Sequence, residues 1–487
     1  MINKALIFRI MGSLILIEAG LLVLSLCIGL LYQEYDISAF LYTSLIAATI
    51  GLTLRFMGRK AENRMSRRDG YIVVASAWTV FSIIGMLPYM LSGFIPNLAD
   101  AFFETMSGFT ATGATILDNI EDGGHGLLFW RSMTQWVGGL GIVFFTIAIL
   151  PIFGLGEVKL FAAEATGPTH DKLHPRISTT AQRIWTVYSG LTLLCTALLM
   201  LGGMDWYDAI CHSLTCTATG GFSNYQDSIA HFHSAYIEYV IIIFMFICSI
   251  NFTLIYQCFF QGHLTRFWKD TELKWFTIIV GGAAVLCGFT LYSPSYDVEL
   301  SLEESFRQSL FQVVSVVSTT GYATADYNLW PHVTWSVLCL LMFMGGCAGS
   351  TVGGFKAIRI VMLSKLSYNE FKHILHPNSV LPVRINDHVI DSGMRSTLIA
   401  FFYIYIITVI IGTILFNFMG LAFSESIGVS LSCVSNVGPA FGEFGPAFSW
   451  SHLPDAGKFL ASFLMLIGRL EIFSVLLLFT PQFWRNR

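Results

Sequence analysis

TCTATGGFSN, residues 215–224, sets two adjacent glycines behind a run of small hydroxylated residues, between two long apolar stretches. Its core has three relatives along the chain. The four copies are Thr110-Ala111-Thr112-Gly113, Thr217-Ala218-Thr219-Gly220, Ser318-Thr319-Thr320-Gly321 and Ser435-Asn436-Val437-Gly438, with glycines 107, 101 and 117 residues apart. Each follows a stretch that starts with acids and is too short to cross a bilayer, over 100–109, 208–216, 303–317 and 425–434. Two apolar spans bracket each copy. The repeating unit is span, half-helix, glycine turn, span, four times over.

Composition makes those spans membrane-crossing. A chain of 487 residues with 54% hydrophobic and only 12% charged residues falls outside the soluble class. Apolar windows of the length a bilayer requires cover 6–31, 39–57, 71–95, 127–152, 184–204, 235–260, 275–293, 332–363, 397–419 and 456–480. Glu18 interrupts the first, and no small-residue cleavage site follows, so it reads as a retained helix. Ten spans put both termini on one side. All 27 Lys and Arg except Arg131, Arg307, Lys458 and Arg469 then fall at the ends and loops of that side, which the positive-inside rule makes cytoplasmic. The expected fold is all-α and polytopic, with an N-terminal helix pair over 1–69. Four repeats follow at 70–160, 161–265, 266–366, the last of these with a broken second helix, and 367–487.

Non-helical backbone at membrane depth survives only where it is buried in protein or lines a watery cavity. One Thr-x-Thr-Gly is explained well enough as a helix C-cap, but four copies in equivalent places point to a pore lining. A half-helix that returns through an extended segment exposes carbonyls without helical partners, and glycine lets successive oxygens face one side. Its carboxyl end also directs partial negative charge inward. This is the logic of a cation filter. The acids Asp118, Glu121, Asp122, Glu303 and Glu304, in loops of the opposite side, suit a cation as well. With one glycine per unit the filter is short. It should prefer potassium and rubidium over sodium and lithium, with weaker discrimination than tetrameric channels achieve.

Two features beneath the turns read as gates. Arg469 lies 13 residues beyond Ala456, about 20 Å down a helix that starts at the outer face. A cation at that depth costs roughly 2.5–3.5 kcal/mol and should face the pathway, or else pair with Glu471 or Glu18. The stretch GGCAGSTVGG at 345–354 holds Gly345, Gly346, Gly349, Gly353 and Gly354 and cannot be ordinary helix. The same depth estimate puts it level with Arg469.

Other chemistries find little support. Ten cysteines are scattered without CxxC pairs and read as small buried hydrophobes. His231 with His233, and His170 with His174, lack further ligands at zinc spacing. No catalytic or nucleotide-binding motif opens a soluble domain.

The stretches SGFTATGAT (107–115), TATGGFSN (217–224), STTGYATAD (318–326), GGCAGSTVGGFKAIR (345–359), SNVGPAFG (435–442) and GRLEIFSVLLLF (468–479) resemble the TrkH branch of the Trk/Ktr/HKT superfamily of potassium transporters over nearly the whole chain. The resemblance implies a bacterial inner-membrane potassium transporter with a four-repeat pore in each subunit of a homodimer. It also implies a cytosolic nucleotide-binding ring of the TrkA type, potassium as the transported ion, no tightly bound organic cofactor, and Arg469 as the pore arginine. Ala440 departs from the pattern, since many relatives carry glycine there. A sodium- or proton-coupled symporter of the same superfamily, and a non-conducting membrane sensor, are the alternatives.

Overall fold

The computed structural model describes residues 2–62, 65–141, 177–262, 264–293, 300–379, 381–386 and 388–485. The inner end of the 127–152 span, the 160/161 repeat boundary, His170 and His174 lie outside the described residues.

The N-terminal pair is α1 (Lys4–Tyr32) and α2 (Ile37–Met57), joined by a tight turn. They approach closely because both carry glycines at the crossing. A Cβ on Gly12 would meet the backbone of Gly51 and Arg55. Repeat 1 follows as α3 (Arg68–Leu91), the half-helix α4 (Leu98–Phe109) and α5 (His125–Leu140). Repeat 2 is α6 (Ile177–Leu201), α7 (Trp206–Thr217), and α8 (Ala235–Cys248) with α9 (Phe252–Gln261). Repeat 3 is α10 (Thr271–Tyr292), α11 (Leu302–Val317), α12 (His332–Met344) and α13 (Ala357–Leu375). Repeat 4 is α14 (Ser392–Phe418), α15 (Phe423–Ser435), and α16 (Asp455–Arg469) with α17 (Ile472–Phe479).

Polar residues set where the half-helices start. Asn97 and Asp205 accept from the amides of Ala99 and Tyr207, Ser301 forms a capping box with Glu304, and the Glu425 carboxylate accepts from Ala422 N. Each half-helix packs on the second helix of the preceding repeat: α7 on α5, α11 on α8, α15 on α12, and α4 on α16. That order closes a ring. The fold is therefore an all-α membrane protein of four tandem repeats about one axis, with two extra helices at the N-terminus.

The ten expected spans do not all appear as straight helices. Among the described residues six helices are long and apolar enough to cross a bilayer, and two bent pairs raise this to eight. Sequence reading places one break, in repeat 3, whereas among the described residues the second segment is interrupted in repeats 2 and 4 too. α8 and α9 meet at 101°, α16 and α17 at 115°, and α5 stops at Gly141 with φ 88°. Asn251 caps the restart after the first of these bends, accepting from Thr253 N at 2.8 Å. Continuous apolarity hides such breaks, because hydropathy counts residues and ignores backbone direction.

The outer surface is apolar, as a lipid-facing surface must be. Leu45, Leu52, Ile278, Phe289, Leu340 and Phe418 all stand exposed, while Trp78, Trp130 and Trp450 fill the interior.

Candidate ion pathway

Each half-helix ends in the same backbone turn. A residue in the left-handed region comes first, Ala111, Thr219, Thr319 and Asn436 with φ of 51°, 54°, 50° and 57°. Two residues later stands a glycine with positive φ: Gly113, Gly221, Gly321 and Gly438. Between them the amides of Thr112, Gly220, Thr320 and Val437 reach back to the carbonyls of Ser107, Thr215, Ser315 and Ser432 at 2.9–3.0 Å.

This corrects the register of repeat 2. Its turn is Ala218-Thr219-Gly220-Gly221, one residue later than the matching letters Thr217 to Gly220 suggest. Thr217 is the last residue of α7, and its hydroxyl is taken up by Ser213 O and Thr192 Oγ1. In the other repeats the expected stretches, Thr110 to Gly113, Ser318 to Gly321 and Ser435 to Gly438, coincide with the turn.

The four turns meet in order around the axis. A Cβ on Gly113 would strike Gly220 O, on Gly221 it would strike Thr320 O, on Gly321 Val437 O, and on Gly438 Thr112 O at 2.6 Å. Each glycine thus abuts the carbonyl that precedes the glycine of the next repeat, and the series returns to its start. Only a residue without a side chain permits that approach. Ser107, Ser315 and Ser432 brace three turns from behind by donating to Ala114 O, Tyr322 O and Gly438 O at 2.6–2.8 Å. Ala440 needs no positive φ; it is buried and held by Tyr327 Oη and by the Phe444 carbonyl.

Of the four cations that the charge map sets apart, three form ion pairs. Arg131 pairs with Glu104 at 2.6 Å in full burial, donates to Ser223 O at 2.7 Å, and lies 3.7 Å over the Phe222 ring. Lys458 pairs with Asp100 at 2.5 Å, and Arg307 with Glu238 at 2.8 Å. The turn between α1 and α2 adds two carboxylates at the start of α5. Glu34 accepts from His125 N and Asp36 from Leu127 N. Burial, then the Glu34 charge, raises the Asp36 carboxyl above its ordinary range.

Beneath the turns lies the segment that joins α12 to α13. Its glycines Gly345 and Gly354 pack backbone to backbone, Gly346 fits against Val352, Gly349 against Asn251, and Gly353 against Ser435 O and Asn436. Gly353 N donates to Thr319 Oγ1 at 2.9 Å, and Thr351 Oγ1 contacts Thr217 O, Cys248 O and Thr219 Oγ1 at 3.1–3.3 Å. The segment therefore touches the turns of repeats 2, 3 and 4. Arg469, at the α16–α17 bend, reaches it: Nη1 donates to Thr351 O at 2.6 Å and Nη2 to Gly138 O at 2.7 Å. Glu471 is engaged by Arg359 at 2.7 Å. One residue without a motif also holds the segment. Glu272 Oε1, at the start of α10, accepts from Ala348 N at 2.8 Å and from Ile358 N at 3.1 Å, near both of its ends. Asp270 and Thr271, just before it, bind Asn386, which lies between the short paired antiparallel strands Arg384–Ile385 and His388–Val389, the 384–389 hairpin.

Glu272 and Glu104 carry no motif: the partners of Glu272 lie 76 and 86 residues along the chain, and those of Glu104, 11, 12 and 27 residues on, are brought to it only by the repeat-1 turn and by α5. Arg131 left a trace, as a cation out of place in the charge map. Among the described residues no cluster of His, Cys, Asp and Glu forms a metal site. All ten cysteines are free, and most are buried. His231 stacks on Tyr225, with ring centroids 3.6 Å apart.

Residues 36–486 match the TrkH family model, described as a cation transport protein. The chain is 36% identical over 483 residues to the Trk system potassium uptake protein TrkH of Escherichia coli (strain K12), covering 99% of both. It is 34% identical over 463 residues to the Trk system potassium uptake protein TrkG of the same strain, covering 94% of both. The crystal structure of the potassium transporter TrkH from Vibrio parahaemolyticus superposes with a TM-score of 0.89 at 32% identity, over the full length of both chains.

Proposed function

The chain belongs to the TrkH family of potassium uptake transporters, multi-pass membrane proteins and not enzymes, and from that premise we propose that potassium passes through the ring of four glycine turns. The observation that carries this reading is the cyclic contact of Gly113, Gly221, Gly321 and Gly438 with the carbonyls of Gly220, Thr320, Val437 and Thr112. Carbonyl oxygens gathered about one axis can replace the water shell of a monovalent cation. The filter is one turn deep, so potassium and rubidium are preferred over sodium and lithium, by less than in filters with several sites in series.

The glycine segment at 345–354 and Arg469 act together as the gate, one as a steric plug and the other as a fixed positive charge. Control comes from a cytosolic nucleotide-binding ring of the TrkA type. That ring would act on α13 and the 384–389 hairpin, whose Asn386 is one step from Glu272. The protein works as a homodimer in the bacterial inner membrane with both termini cytoplasmic, an orientation favoured by the distribution of Lys and Arg.

Purified protein in liposomes tests the central reading. A potassium gradient should drive rubidium tracer uptake without sodium; absence of uptake refutes conduction, and a strict requirement for sodium on the same side converts the pathway to a symporter. Within the pore, Gly221→Ala places a side chain at positive φ against Thr320 O and should lower the potassium-to-sodium ratio or abolish flux. Unchanged ion preference would remove Gly221 from the pathway.

Glu272 offers a separate handle on the gate. Glu272→Ala strands two backbone N–H groups, each a bond to a carboxylate worth about 1.5–3 kcal/mol, and should give rubidium leak in the absence of any partner. Glu272→Gln keeps an acceptor oxygen and should stay closed. A tight Ala variant would show that the segment needs no such anchor.

A further inference from the structure

The two glycines of repeat 2 serve different ends, and the difference exposes a residue that, among the described residues, has no counterpart at the other three corners. Gly221 carries the positive φ and abuts Thr320 O. Gly220 has no positive φ; a Cβ there would instead overlap the side-chain amide of Gln135. Gln135 comes from α5 of repeat 1, is fully buried, and grips the turn on both sides of Gly221. Its Nε2 donates to Gly220 O at 2.7 Å and its Oε1 accepts from Phe222 N at 3.0 Å. The amide orientation is fixed, since Phe222 N can only donate and Gly220 O only accept. Gly220 O is the repeat-2 member of the carbonyl ring. Among the described residues, the equivalent oxygens of Thr112, Thr320 and Val437 receive no side-chain hydrogen bond.

We propose that Gln135 is a specificity-determining residue, which fixes the position and reduces the free electron density of one ring oxygen through its amide. An oxygen held by an N–H cannot swing inward to close around a small cation. A ring with one restrained corner keeps a wider minimum opening, which disfavours sodium and lithium relative to potassium and rubidium. Selectivity in flexible carbonyl sites depends on the number and field strength of the dipoles, and this hydrogen bond changes the field of one dipole in four. The proposal rests on the reading of the ring as the ion filter.

The test is the rubidium-to-sodium flux ratio in proteoliposomes, read separately from total flux. Gln135→Met keeps length and volume without either hydrogen bond; Gln135→Glu keeps the acceptor for Phe222 N and sets an oxygen against Gly220 O. Both should lower the ratio, by about threefold or more, in protein that elutes as a single folded species. Gly113→Ala and Gly321→Ala serve as controls on the filter itself. If they shift the ratio while both Gln135 variants keep that of the parent, the inference fails and the filter reading stands. If none of the four shifts it, the filter reading fails first. Coupling distinguishes the local contact from general damage: Gln135→Ala should relieve the defect of Gly220→Ala and leave that of Gly221→Ala untouched. Equal, additive defects in both combinations would overturn the assignment of Gly220 to Gln135. A variant that loses total flux at constant ratio also counts against it, since that is the mark of a support role only.

Discussion

Resting rubidium flux through Arg469→Ala should exceed that of the parent by about tenfold or more, measured in proteoliposomes without any cytosolic partner. Two physical losses combine. The guanidinium ties the glycine segment to the end of α5 through Thr351 O and Gly138 O, and charge-assisted bonds of this kind contribute about 1.5–3 kcal/mol each. It also sets a positive charge against the next cation: at 5–6 Å and an effective dielectric near 20 the repulsion is roughly 3 kcal/mol. Removal of even half of that barrier corresponds to about a tenfold rate. Arg469→Lys retains charge but not the two-sided reach of a guanidinium, so its flux should fall between the two. Flux lower than that of the parent, in well-folded Arg469→Ala, would mean that the residue holds the helices together and bars nothing.

Glu104→Ala or Arg131→Ala should each cost about 3–5 kcal/mol of stability, the range for a fully buried charge deprived of its partner. The pair joins two quarters of the molecule. Glu104 accepts from Thr115 Oγ1 and Ile116 N just past the repeat-1 turn, each at 3.0 Å, while Arg131 holds Ser223 O just past the repeat-2 turn. Thermal unfolding in detergent should drop by several degrees for each single variant, and the double replacement Glu104→Leu with Arg131→Met should recover part of the loss because no charge is left stranded. Single variants that melt with the parent would show that water already reaches the pair.

The half-helices and the glycine segment were legible because each has a signature that survives without coordinates: acids at a helix start, and five glycines in ten residues. The register of repeat 2 was misread because TATG occurs twice, at 110–113 and 217–220, and identical letters outweighed geometry. The better guide was present in the sequence. A Ser or Thr stands six residues before each ring glycine, at Ser107, Thr215, Ser315 and Ser432, and that spacing selects Gly221. Gln135 could not have been found this way, since its partners lie 85 and 87 residues along the chain and only the closed ring brings them together.

Because the four corners of the opening are encoded by separate codons, each drifts on its own through evolution. A channel assembled from identical subunits must accept every change four times at once, whereas here Asn436 and Val437 stand at one corner of the ring alone and Gln135 behind another, so each substitution falls on a single quarter. Such a gene can explore small adjustments of its permeant ion that an oligomer of identical chains can reach only in large steps.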